Sequence, residues 1–359
     1  MSRRSWLVLI AVLSAVALYR DRLGTALKQT YANVRAFDLP IISLVVARLA
    51  GMLPIREIAG LDPATVFRGS EVRDQIAVGA ALVTGASSGI GAAFAHRLAA
   101  QGLDLFLVAR REGRLRALAT EVNRRHGVTA DVLAADLSRP ADIERVEARI
   151  ARGRPVEVLI NNAGFGTVGY FREIDLGKQL DMIQVHVVAS VRLIRAVLPG
   201  MISRGRGTII NVSSLAAFVP TPGNATYSST KAYLTVFSEA LDKELRGTGV
   251  KVQVLVPGFT FTEFYDTPEY RRVDMRAKVR SRLPGALWMT ADEVVARSLE
   301  SLGGRLLCAP GFGNRLMIAL SRVGLSPLLS SVLTTRFGEE LRGSAQTPRR
   351  KGLRNGRST

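Results

Sequence analysis

Tyr227 and Lys231 are the residues whose types and spacing most directly suggest catalysis. Because they are four residues apart, they lie one turn apart on the same face of a helix. A free tyrosine has a pKa of about 10 and is a poor base near neutral pH, but a nearby ammonium group favours its phenolate. Ser214, thirteen residues before Tyr227, can hydrogen-bond the oxygen that exchanges the proton. This combination suits acid–base chemistry at a carbonyl or alcohol oxygen.

A glycine-rich segment lies far upstream, between an apolar run and the start of a helical segment, and reads Thr84-Gly-Ala-Ser-Ser-Gly-Ile-Gly91. Glycines let the backbone approach a pyrophosphate, and the unpaired N–H groups at a helix N-terminus attract anions. The context of strand, glycine-rich loop and helix is the one that a dinucleotide fingerprint requires. The residues predicted to bind a dinucleotide here are Gly85, Ser87, Ser88, Gly89, Ile90 and Gly91.

Two further motifs follow apolar runs in the same way. Asn161–Gly164 (Asn-Asn-Ala-Gly) follows one run, and Pro257-Gly258 follows another, with Thr262 four residues beyond Gly258. In order and spacing, these motifs, the glycine-rich segment and the serine, tyrosine and lysine resemble the short-chain dehydrogenase/reductase family, in its classical branch. The resemblance implies an oxidoreductase that moves a hydride between a nicotinamide ring and a carbonyl or alcohol carbon.

The resemblance also assigns catalytic roles to four residues. Tyr227 would protonate the substrate oxygen during reduction and take the proton back during oxidation, while Ser214 would bind and orient that oxygen. Lys231 would support the tyrosine and hold the nicotinamide ribose. His186 stands twenty-four residues after Asn162, where the family usually has an asparagine that binds a relay water. Histidine exchanges protons near pH 7, so we expect His186 either to replace that asparagine or to belong to a different relay.

The choice of cofactor follows from the end of the second apolar run, Leu103–Ala109, which is followed by Arg110 and Arg111. In NAD-binding domains an acidic residue at this place typically binds the ribose 2′-hydroxyl, whereas an arginine accommodates a 2′-phosphate. The first acidic residue, Glu112, lies beyond both arginines. Since a guanidinium group suits a phosphate, we predict NADP(H) rather than NAD(H), with Arg110 at the 2′-phosphate.

The resemblance places further residues around the same cofactor. Asp136 would contact the adenine, and Asn162 would lie beside the adenosine ribose. Pro257, Thr260 and Thr262 would bind the nicotinamide side, together with Tyr227 and Lys231.

The elements that position these residues alternate along the chain as short apolar runs and arginine-rich helical segments. Such alternation predicts a Rossmann-type α/β fold, a doubly wound parallel sheet with helices on both faces. We place this catalytic domain at residues 75–275. Its predicted strands are Ala80–Thr84, Leu103–Ala109, Val128–Ala134, Val156–Ile160, Gly207–Val212 and Val250–Val256.

Residues 1–74 are predicted to be an N-terminal hydrophobic segment and a linker. The run Ser5–Tyr19 carries no charge and has arginines on both sides. Fifteen helical residues span about 22 Å, which is shorter than a hydrocarbon core of about 30 Å. A membrane anchor, a cleaved signal peptide and a packing helix are all open interpretations. We expect the anchor, with the catalytic domain in the cytoplasm.

Residues 276–340 are predicted to form a helical extension, and residues 341–359 a disordered basic tail. Apolar residues recur at helical spacing around Leu316, Leu320 and Val323 and again from Leu328, with Pro327 between the two groups. The pattern predicts two helices, which either pack on the catalytic domain or act as a substrate lid at a membrane surface.

The composition limits the classes of molecule that we expect this protein to bind. A net charge of +19, almost all from arginine, is compatible with an anionic membrane surface. No arginine-rich stretch is interleaved with aromatic residues, so nucleic acid is not expected. Cys308 is the only cysteine, and the three histidines lack metal-ligand spacing, so we expect neither a metal site nor a disulfide within the chain. A homo-oligomer is left open.

The substrate is the least determined part. Phe259, Phe261, Phe264 and Tyr265 follow the last motif, where the family has its substrate lid, and we predict that they line an apolar pocket for a lipid-like or steroid-like carbonyl compound. Ordinary core aromatics are an equally good interpretation. The alternative function is a catalytically silent NADP-binding sensor or scaffold on the same fold.

Overall fold

The computed structural model describes residues 79–167, 169–266, 270–271, 277 and 285–331. Its centre is a seven-stranded sheet in which every neighbouring pair is parallel, in the order β3-β2-β1-β4-β5-β6-β9. Two further short strands, β7 and β8, pair beside it. The strands are β1 Ala80–Thr84, β2 Asp104–Ala109, β3 Ala130–Ala134, β4 Val156–Asn161, β5 Gly207–Val212, β6 Val250–Leu255, β7 Phe259–Phe261, β8 Trp288–Thr290 and β9 Leu307–Cys308.

Helices cover both faces of the sheet. They are α1 Gly89–Ala100, α2 Glu112–His126, α3 Pro140–Arg152, α4 Leu176–Ile183, α5 Ala189–Ser203, α6 Ala225–Glu244, α7 Ala291–Glu300 and α8 Phe312–Leu320, with a π-type turn Gln184–Val188 joining α4 to α5. Side chains alternate along each strand. Val83 therefore joins a core with α1, α2 and α7, while Leu82 joins a second core with α3, α5 and α6. The predicted doubly wound parallel sheet is confirmed.

The crossovers reverse direction between β1 and β4. The chain runs from β1 outward through β2 to β3, then returns to β4 beside β1 and continues outward through β5 and β6. Loops that leave neighbouring parallel strands on opposite sides of such a switch point open a crevice at the carboxyl edge of the sheet. The glycine-rich segment, Asn162 and Ser214 all follow strands at this edge, which is why residues far apart in sequence share one site.

The sheet continues beyond residue 275, where the sequence analysis ended the catalytic domain. β9 pairs with β6, and α7 contributes Val294 and Val295 to the core shared with α1. Arg97 of α1 also donates two hydrogen bonds to Asp292, at 2.7 and 2.6 Å. Part of the segment predicted as an extension therefore completes the central fold. No apolar run in the sequence indicates β9, because the strand is only two residues long.

One helical stretch among the described residues, Leu176–Ser203, is long and apolar enough to cross a membrane. It comprises α4, the π-type turn and α5. Its buried residues include Leu193, Ile194 and Val197, which pack in the second core. Since a core helix of this kind meets the same length and hydropathy criteria, the stretch belongs to the fold and does not by itself indicate a membrane span.

The two predicted C-terminal helices are separated a few residues earlier than Pro327. After α8, a turn at Ser321–Leu325 contains Gly324 with φ of +87°, and a second helical segment covers 326–331. The left-handed conformation of Gly324 makes the break, and Pro327 occupies the first turn of the second helix, where a missing N–H costs nothing. Ser321 and Ser326 both donate hydrogen bonds to the carbonyl oxygen of Phe218, at 2.6 and 3.0 Å. This part of the extension is therefore packed on the catalytic fold. Ser5–Tyr19, the linker up to residue 74 and the basic tail 341–359 lie outside the described residues.

Candidate active site

The glycine-rich segment connects β1 to α1 and forms a cradle. Gly85 and Gly89 have φ values of +66° and +57°, in the left-handed region that favours glycine. A Cβ at Gly91 would stand 2.4 Å from the carbonyl oxygen of Gly85, so a side chain would not fit there. Ser88, just before α1, makes no side-chain cap hydrogen bond, which leaves the first N–H groups of the helix available to an anion. These features fit the pyrophosphate of a dinucleotide.

Thr84 and Asn162 fix the shape of this cradle. Thr84 Oγ1 donates to the carbonyl oxygen of Ile160 at 3.1 Å and accepts from the N–H groups of Asn162 and Ala163, both at 3.0 Å. Asn162 Nδ2 donates to the carbonyl oxygens of Thr84 and Gly85, at 2.9 and 3.3 Å. Asn162 therefore holds the glycine-rich segment in place, and its predicted contact with the adenosine ribose stays a prediction.

The end of β5 and the start of α6 bring Ser214, Tyr227 and Lys231 together. Ser214 precedes a 3-10 turn at Leu215–Ala217, and its hydroxyl hydrogen-bonds the Tyr227 side chain. Lys231, one helical turn after Tyr227, places its Nζ 2.8 Å from the carbonyl oxygen of Val212 and 5.8 Å from the centre of the Tyr227 ring. The spacing in the sequence therefore does correspond to a spatial cluster.

Burial dominates the ionisation of this cluster. Desolvation raises the pKa of the Tyr227 phenol, and the hydrogen bond with Ser214 acts in the opposite direction. Desolvation lowers the pKa of Lys231 to about 8. From the sequence we expected the lysine to lower the pKa of the tyrosine. In the cofactor-free structure burial has the larger effect on the pKa of Tyr227, and the Lys231 ammonium donates to the carbonyl oxygen of Val212.

His186 lies in the π-type turn between α4 and α5 and is completely buried. Its Nε2 accepts a hydrogen bond from the N–H of Phe165 at 3.1 Å, and its Nδ1 lies 2.8 Å from Thr230 Oγ1. Because Nε2 is an acceptor, the neutral ring carries its proton on Nδ1 and donates it to Thr230, whose hydroxyl donates to the carbonyl oxygen of Tyr227 at 2.9 Å.

Burial, followed by the positive charge of Lys231, lowers the pKa of His186 well below its usual value. The ring is therefore neutral near pH 7, and both of its nitrogens already have protein partners. This geometry favours a positioning role, in which His186 links the segment after β4 to α6. A water relay through the His186 side chain would require one of these two hydrogen bonds to break.

The loop after β6 supplies the residues predicted for the nicotinamide side. Pro257, Thr260 and Thr262 all line one cavity with Ile90 of the glycine-rich segment. Thr260 is buried, and its hydroxyl donates to the carbonyl oxygen of Gly258 at 3.1 Å. A Cβ at Gly89 would stand 3.1 Å from Cβ of Thr262. The loop thus approaches the cradle closely from the opposite side of the crevice, and the contacts with nicotinamide stay predictions.

Two residues predicted for the adenosine half lie at the ends of β2 and β3. Asp136 Oδ1 accepts hydrogen bonds from the N–H and the hydroxyl of Ser138, at 3.1 and 2.9 Å, which stabilises the turn after β3. Arg110 is exposed, whereas the guanidinium of Arg111 reaches the glycine-rich segment and donates to the hydroxyls of Ser87 and Ser88, at 2.9 and 2.6 Å. The role of Arg110 stays a prediction, and Arg111 becomes a second candidate for the 2′-phosphate.

A cavity of about 280 Å³ opens beside Ser214 and Tyr227. Away from the cofactor side it is lined by apolar and aromatic side chains, which include Leu215, Val219, Phe259, Phe264, Tyr265 and Tyr270. The ring centres of Tyr227 and Phe264 lie 5.8 Å apart. Phe261 does not belong to the lining, since it stacks on Trp288 with ring centres 4.9 Å apart. The predicted apolar pocket therefore involves three of the four aromatic residues singled out in the sequence.

Sequence reasoning missed several residues that hold the site together. Ser213 Oγ donates to the carbonyl oxygen of Lys231 at 2.8 Å, and Thr230 connects His186 to Tyr227. Thr230 stands three residues after Tyr227, so helical spacing offered a signal for it. Glu263 pairs with Arg111 and Arg114 across more than 140 residues of sequence, and no local pattern indicates that contact.

Comparison with known proteins gives a consistent set of similarities. Residues 79–269 match the family model described as short chain dehydrogenase. A very-long-chain 3-oxoacyl-CoA reductase from Anas platyrhynchos is 37% identical over 188 residues, which cover 51% of this chain and 60% of that protein. An inactive hydroxysteroid dehydrogenase-like protein 1 from Homo sapiens is 36% identical over 51% of this chain and 56% of that protein. The chain thus spans less than two thirds of these two relatives.

Longer matches extend to a fungal relative and to a solved structure. The very-long-chain 3-oxoacyl-CoA reductase of Phaeosphaeria nodorum is 34% identical over 278 residues, or 76% of this chain and 74% of that protein. A short-chain dehydrogenase from Sphingobium yanoikuyae, solved in complex with NADPH, is 34% identical with a TM-score of 0.60. The match covers 72% of this chain and 96% of that one.

Lys231→Met should stabilise the fold at pH 7 by about 2–3 kcal/mol, because it removes a buried ammonium whose pKa is lowered from 10.5 to about 8. The folded-state pKa lies below the unfolded one. The cost to the wild type is therefore complete below pH 8 and disappears as the pH rises from about 8 to 10.5. Urea unfolding at pH 7 and about pH 10 measures the difference, which should shrink at the higher pH. Lys243→Met, exposed on the same helix, is the control. An advantage of equal size at both pH values would contradict this account.

His186→Leu should lower the free energy of unfolding by about 2–4 kcal/mol, because the buried N–H of Phe165 and the Thr230 hydroxyl lose their partner. His186→Asn should cost less, since a side-chain amide still provides an acceptor and a donor. Urea unfolding of the three proteins tests the order. If the leucine variant is as stable as the wild type, the two hydrogen bonds do not hold the site.

Proposed function

The chain belongs to the short-chain dehydrogenase/reductase family, and from this premise we propose that it is an NADP(H)-dependent oxidoreductase that interconverts a carbonyl group and an alcohol. The observation that carries the proposal is the hydrogen-bonded Ser214–Tyr227 pair, which lines a cavity together with Lys231 and with Ile90 of the glycine-rich segment. Acid–base groups and a dinucleotide cradle share one space, as hydride transfer to a carbonyl carbon requires.

NADP(H), when bound, supplies or accepts the hydride. The protein's own residues handle the substrate oxygen and the proton. The Ser214 hydroxyl hydrogen-bonds the carbonyl oxygen and orients it toward Tyr227, whose phenol gives it a proton during reduction. Lys231 lies beneath the Tyr227 ring, where its ammonium stabilises the phenolate that is left. Thr84 and Asn162 keep the glycine-rich segment in the shape that receives the pyrophosphate.

Reduction and oxidation require different ionisation states of Tyr227. Burial raises the pKa of Tyr227, so the phenol carries its proton before a substrate arrives. A general acid must be protonated to begin a reduction, whereas oxidation requires the phenolate. Oxidation therefore requires additional stabilisation of the phenolate by positive charge.

The cofactor and substrate classes rest on the site and on the relatives together. Arginines follow β2 where an NAD-binding protein usually has an acidic residue, and the Sphingobium yanoikuyae relative was solved with NADPH. Most of the cavity lining beyond Ser214 and Tyr227 is apolar or aromatic, and two relatives are very-long-chain 3-oxoacyl-CoA reductases. We therefore assign NADP(H) as cofactor and a lipid-like carbonyl compound as substrate.

A relative named as inactive favours one alternative, an NADP-binding sensor without turnover. The present chain retains Ser214, Tyr227 and Lys231 in mutual contact range, and a sensor does not need all three. A panel of lipid-like ketones and 3-oxoacyl thioesters, assayed by NADPH absorbance, separates the alternatives. Tight NADPH binding without oxidation of NADPH by any member of the panel would favour the sensor.

The domain division and the location are also proposed. We keep 1–74 as an anchor segment and 341–359 as a basic tail. The catalytic domain of 75–275 is extended by α7 and β9, and the remainder of 276–340 is kept as a helical extension. Apolar side chains exposed on the extension include Phe312 (71% exposed) and Val323 (68%). They are close in the sequence to the exposed Arg315 and Arg322, a combination suited to an anionic membrane surface. The proposed location is the cytoplasmic face of a membrane.

Tyr227→Phe should lower turnover by about 100-fold or more, the magnitude of a lost general acid. NADPH affinity should change by less than about twofold, because the hydroxyl faces the substrate and the cradle is left intact. Steady-state rates with an identified substrate and NADPH dissociation constants measure the two effects. Tyr233→Phe, half-exposed on the same helix, is the control. Wild-type turnover in Tyr227→Phe would overturn the catalytic assignment.

The full-length protein should sediment with membranes and resist extraction by high salt, because an uncharged run of fifteen residues gains about 25 cal/mol per Å² of apolar area removed from water. A version that begins at Asp74 should lose most of this attachment and still bind NADPH. Sedimentation before and after a salt wash measures both proteins. A full-length protein that stays in the supernatant without detergent would exclude the anchor.

A further inference from the structure

A cluster of charged residues crosses the crevice between the adenosine side and the substrate side. Arg111 Nη1 donates to Glu263 at 2.7 Å, and Arg114 Nη1 donates to both oxygens of the same carboxylate, at 2.6 and 2.7 Å. Both arginines follow β2, whereas Glu263 follows β7 and begins a 3-10 turn, Glu263–Asp266. The ion pairs therefore connect two loops that leave strands on opposite sides of the switch point.

The donors around this carboxylate are those that a phosphate would need. Arg111 also donates to the hydroxyls of Ser87 and Ser88 in the glycine-rich segment, so the guanidinium is fixed at the edge of the dinucleotide cradle. Two guanidinium groups around one carboxylate form a typical anion site, and the Ser87 and Ser88 hydroxyls lie at the other edge of the Arg111 guanidinium. Hydrogen bonds from Arg114 and then Arg111 lower the pKa of Glu263, so the carboxylate is ionised at neutral pH.

We infer that Glu263 occupies the 2′-phosphate subsite in the cofactor-free protein and that the 2′-phosphate of NADP(H) displaces it. The inference rests on the proposed NADP(H) function and concerns how the same site is filled. A carboxylate and a phosphate dianion repel each other at contact distance, and Arg111 cannot offer the same N–H groups to both. The phosphate carries the larger charge, so it takes the arginines and Glu263 leaves.

The strength of the existing ion pairs fits this exchange. Arg111, Arg114 and Glu263 are each between 43% and 51% exposed at the side chain, and ion pairs of such exposure contribute little to stability. The carboxylate therefore competes with a phosphate only modestly.

Phe264, the residue after Glu263, lines the substrate cavity. Displacement of Glu263 therefore affects the lining of that cavity. Phe264 lies 5.8 Å from Tyr227 and 5.6 Å from Tyr270, between ring centres. On the other side of Glu263, Phe261 stacks on Trp288 with ring centres 4.9 Å apart. Release of the carboxylate frees one end of the segment that carries Phe264. Binding of the 2′-phosphate is thereby coupled to rearrangement of the aromatic residues on either side of Glu263.

The first test uses adenosine 2′,5′-bisphosphate and 5′-AMP, which differ by the 2′-phosphate and lack the nicotinamide half. Glu263→Gln in the full-length protein should tighten the bisphosphate by about three- to tenfold, as expected when a weak competing ion pair is removed, and leave 5′-AMP within about twofold. Glu112→Gln is the matched control, because Glu112 is a neighbouring exposed carboxylate that pairs with Arg116 instead. Isothermal titration calorimetry gives the dissociation constants.

The second test measures rearrangement of the aromatic residues beside Glu263 through the fluorescence of Trp288. Trp288 is one of two tryptophans, so a Trp6→Phe background leaves its fluorescence as a single signal. The bisphosphate should change this fluorescence in the wild type, whereas Glu263→Gln should already show the altered signal without ligand. A response to 5′-AMP equal to the response to the bisphosphate would overturn the coupling.

The outcomes separate the two proposals. If the wild type prefers the bisphosphate but Glu263→Gln binds it no better than Glu112→Gln does, the displacement is refuted and the NADP(H) function stands. Weaker binding of the bisphosphate to Glu263→Gln would also refute displacement, because the carboxylate would then assist binding. If the wild type does not distinguish the bisphosphate from 5′-AMP, the cofactor assignment fails, and the displacement fails with it.

Discussion

The position of α6 against the end of β5 is the constraint on which the candidate site depends. Three buried hydrogen bonds fix it: Ser213 Oγ to the carbonyl oxygen of Lys231, Lys231 Nζ to the carbonyl oxygen of Val212, and Asn211 Nδ2 to Ser238 Oγ. Buried polar groups are costly unless they are paired, so this contact has one well-defined register. Tyr227 and Ser214 meet because α6 cannot shift along β5 without breaking these bonds.

The burial that fixes α6 against β5 also determines which residues of the site are charged. The same low polarity raises the pKa of Tyr227 and lowers those of Lys231 and His186, and each shift favours the neutral form. A site biased in this way responds strongly to any charge brought into it, since few competing charges or waters screen the effect. The protein's groups are placed so that a positive charge beside Tyr227 changes its ionisation. The stability lost by burying Lys231 is the cost of this arrangement.

Sequence patterns located the strands and the catalytic set because both depend on local rules. Alternating apolar runs defined β1 and β5 to the residue, and a spacing of four residues placed Tyr227 and Lys231 on one helical face. The sequence could not show that His186 has both nitrogens occupied, because its partners Phe165 and Thr230 come from two other elements. Nor could it show that Glu263 meets Arg111, a contact between loops that no periodicity controls. Long-range polar contacts depend on how loops cross the crevice, which only the assembled fold determines.

The two edges of the central sheet have a consequence for how the protein behaves at high concentration. Open sheet edges can pair with other chains and start aggregation. One edge strand, β9, is only two residues long, and the other, β3, carries Asp131, which pairs with Arg149 of α3. A very short strand offers few free backbone groups, and a charged edge disfavours an incoming apolar strand. A parallel sheet of this size folds through many long-range contacts, so such edges protect incompletely folded chains from self-association while the remaining strands assemble.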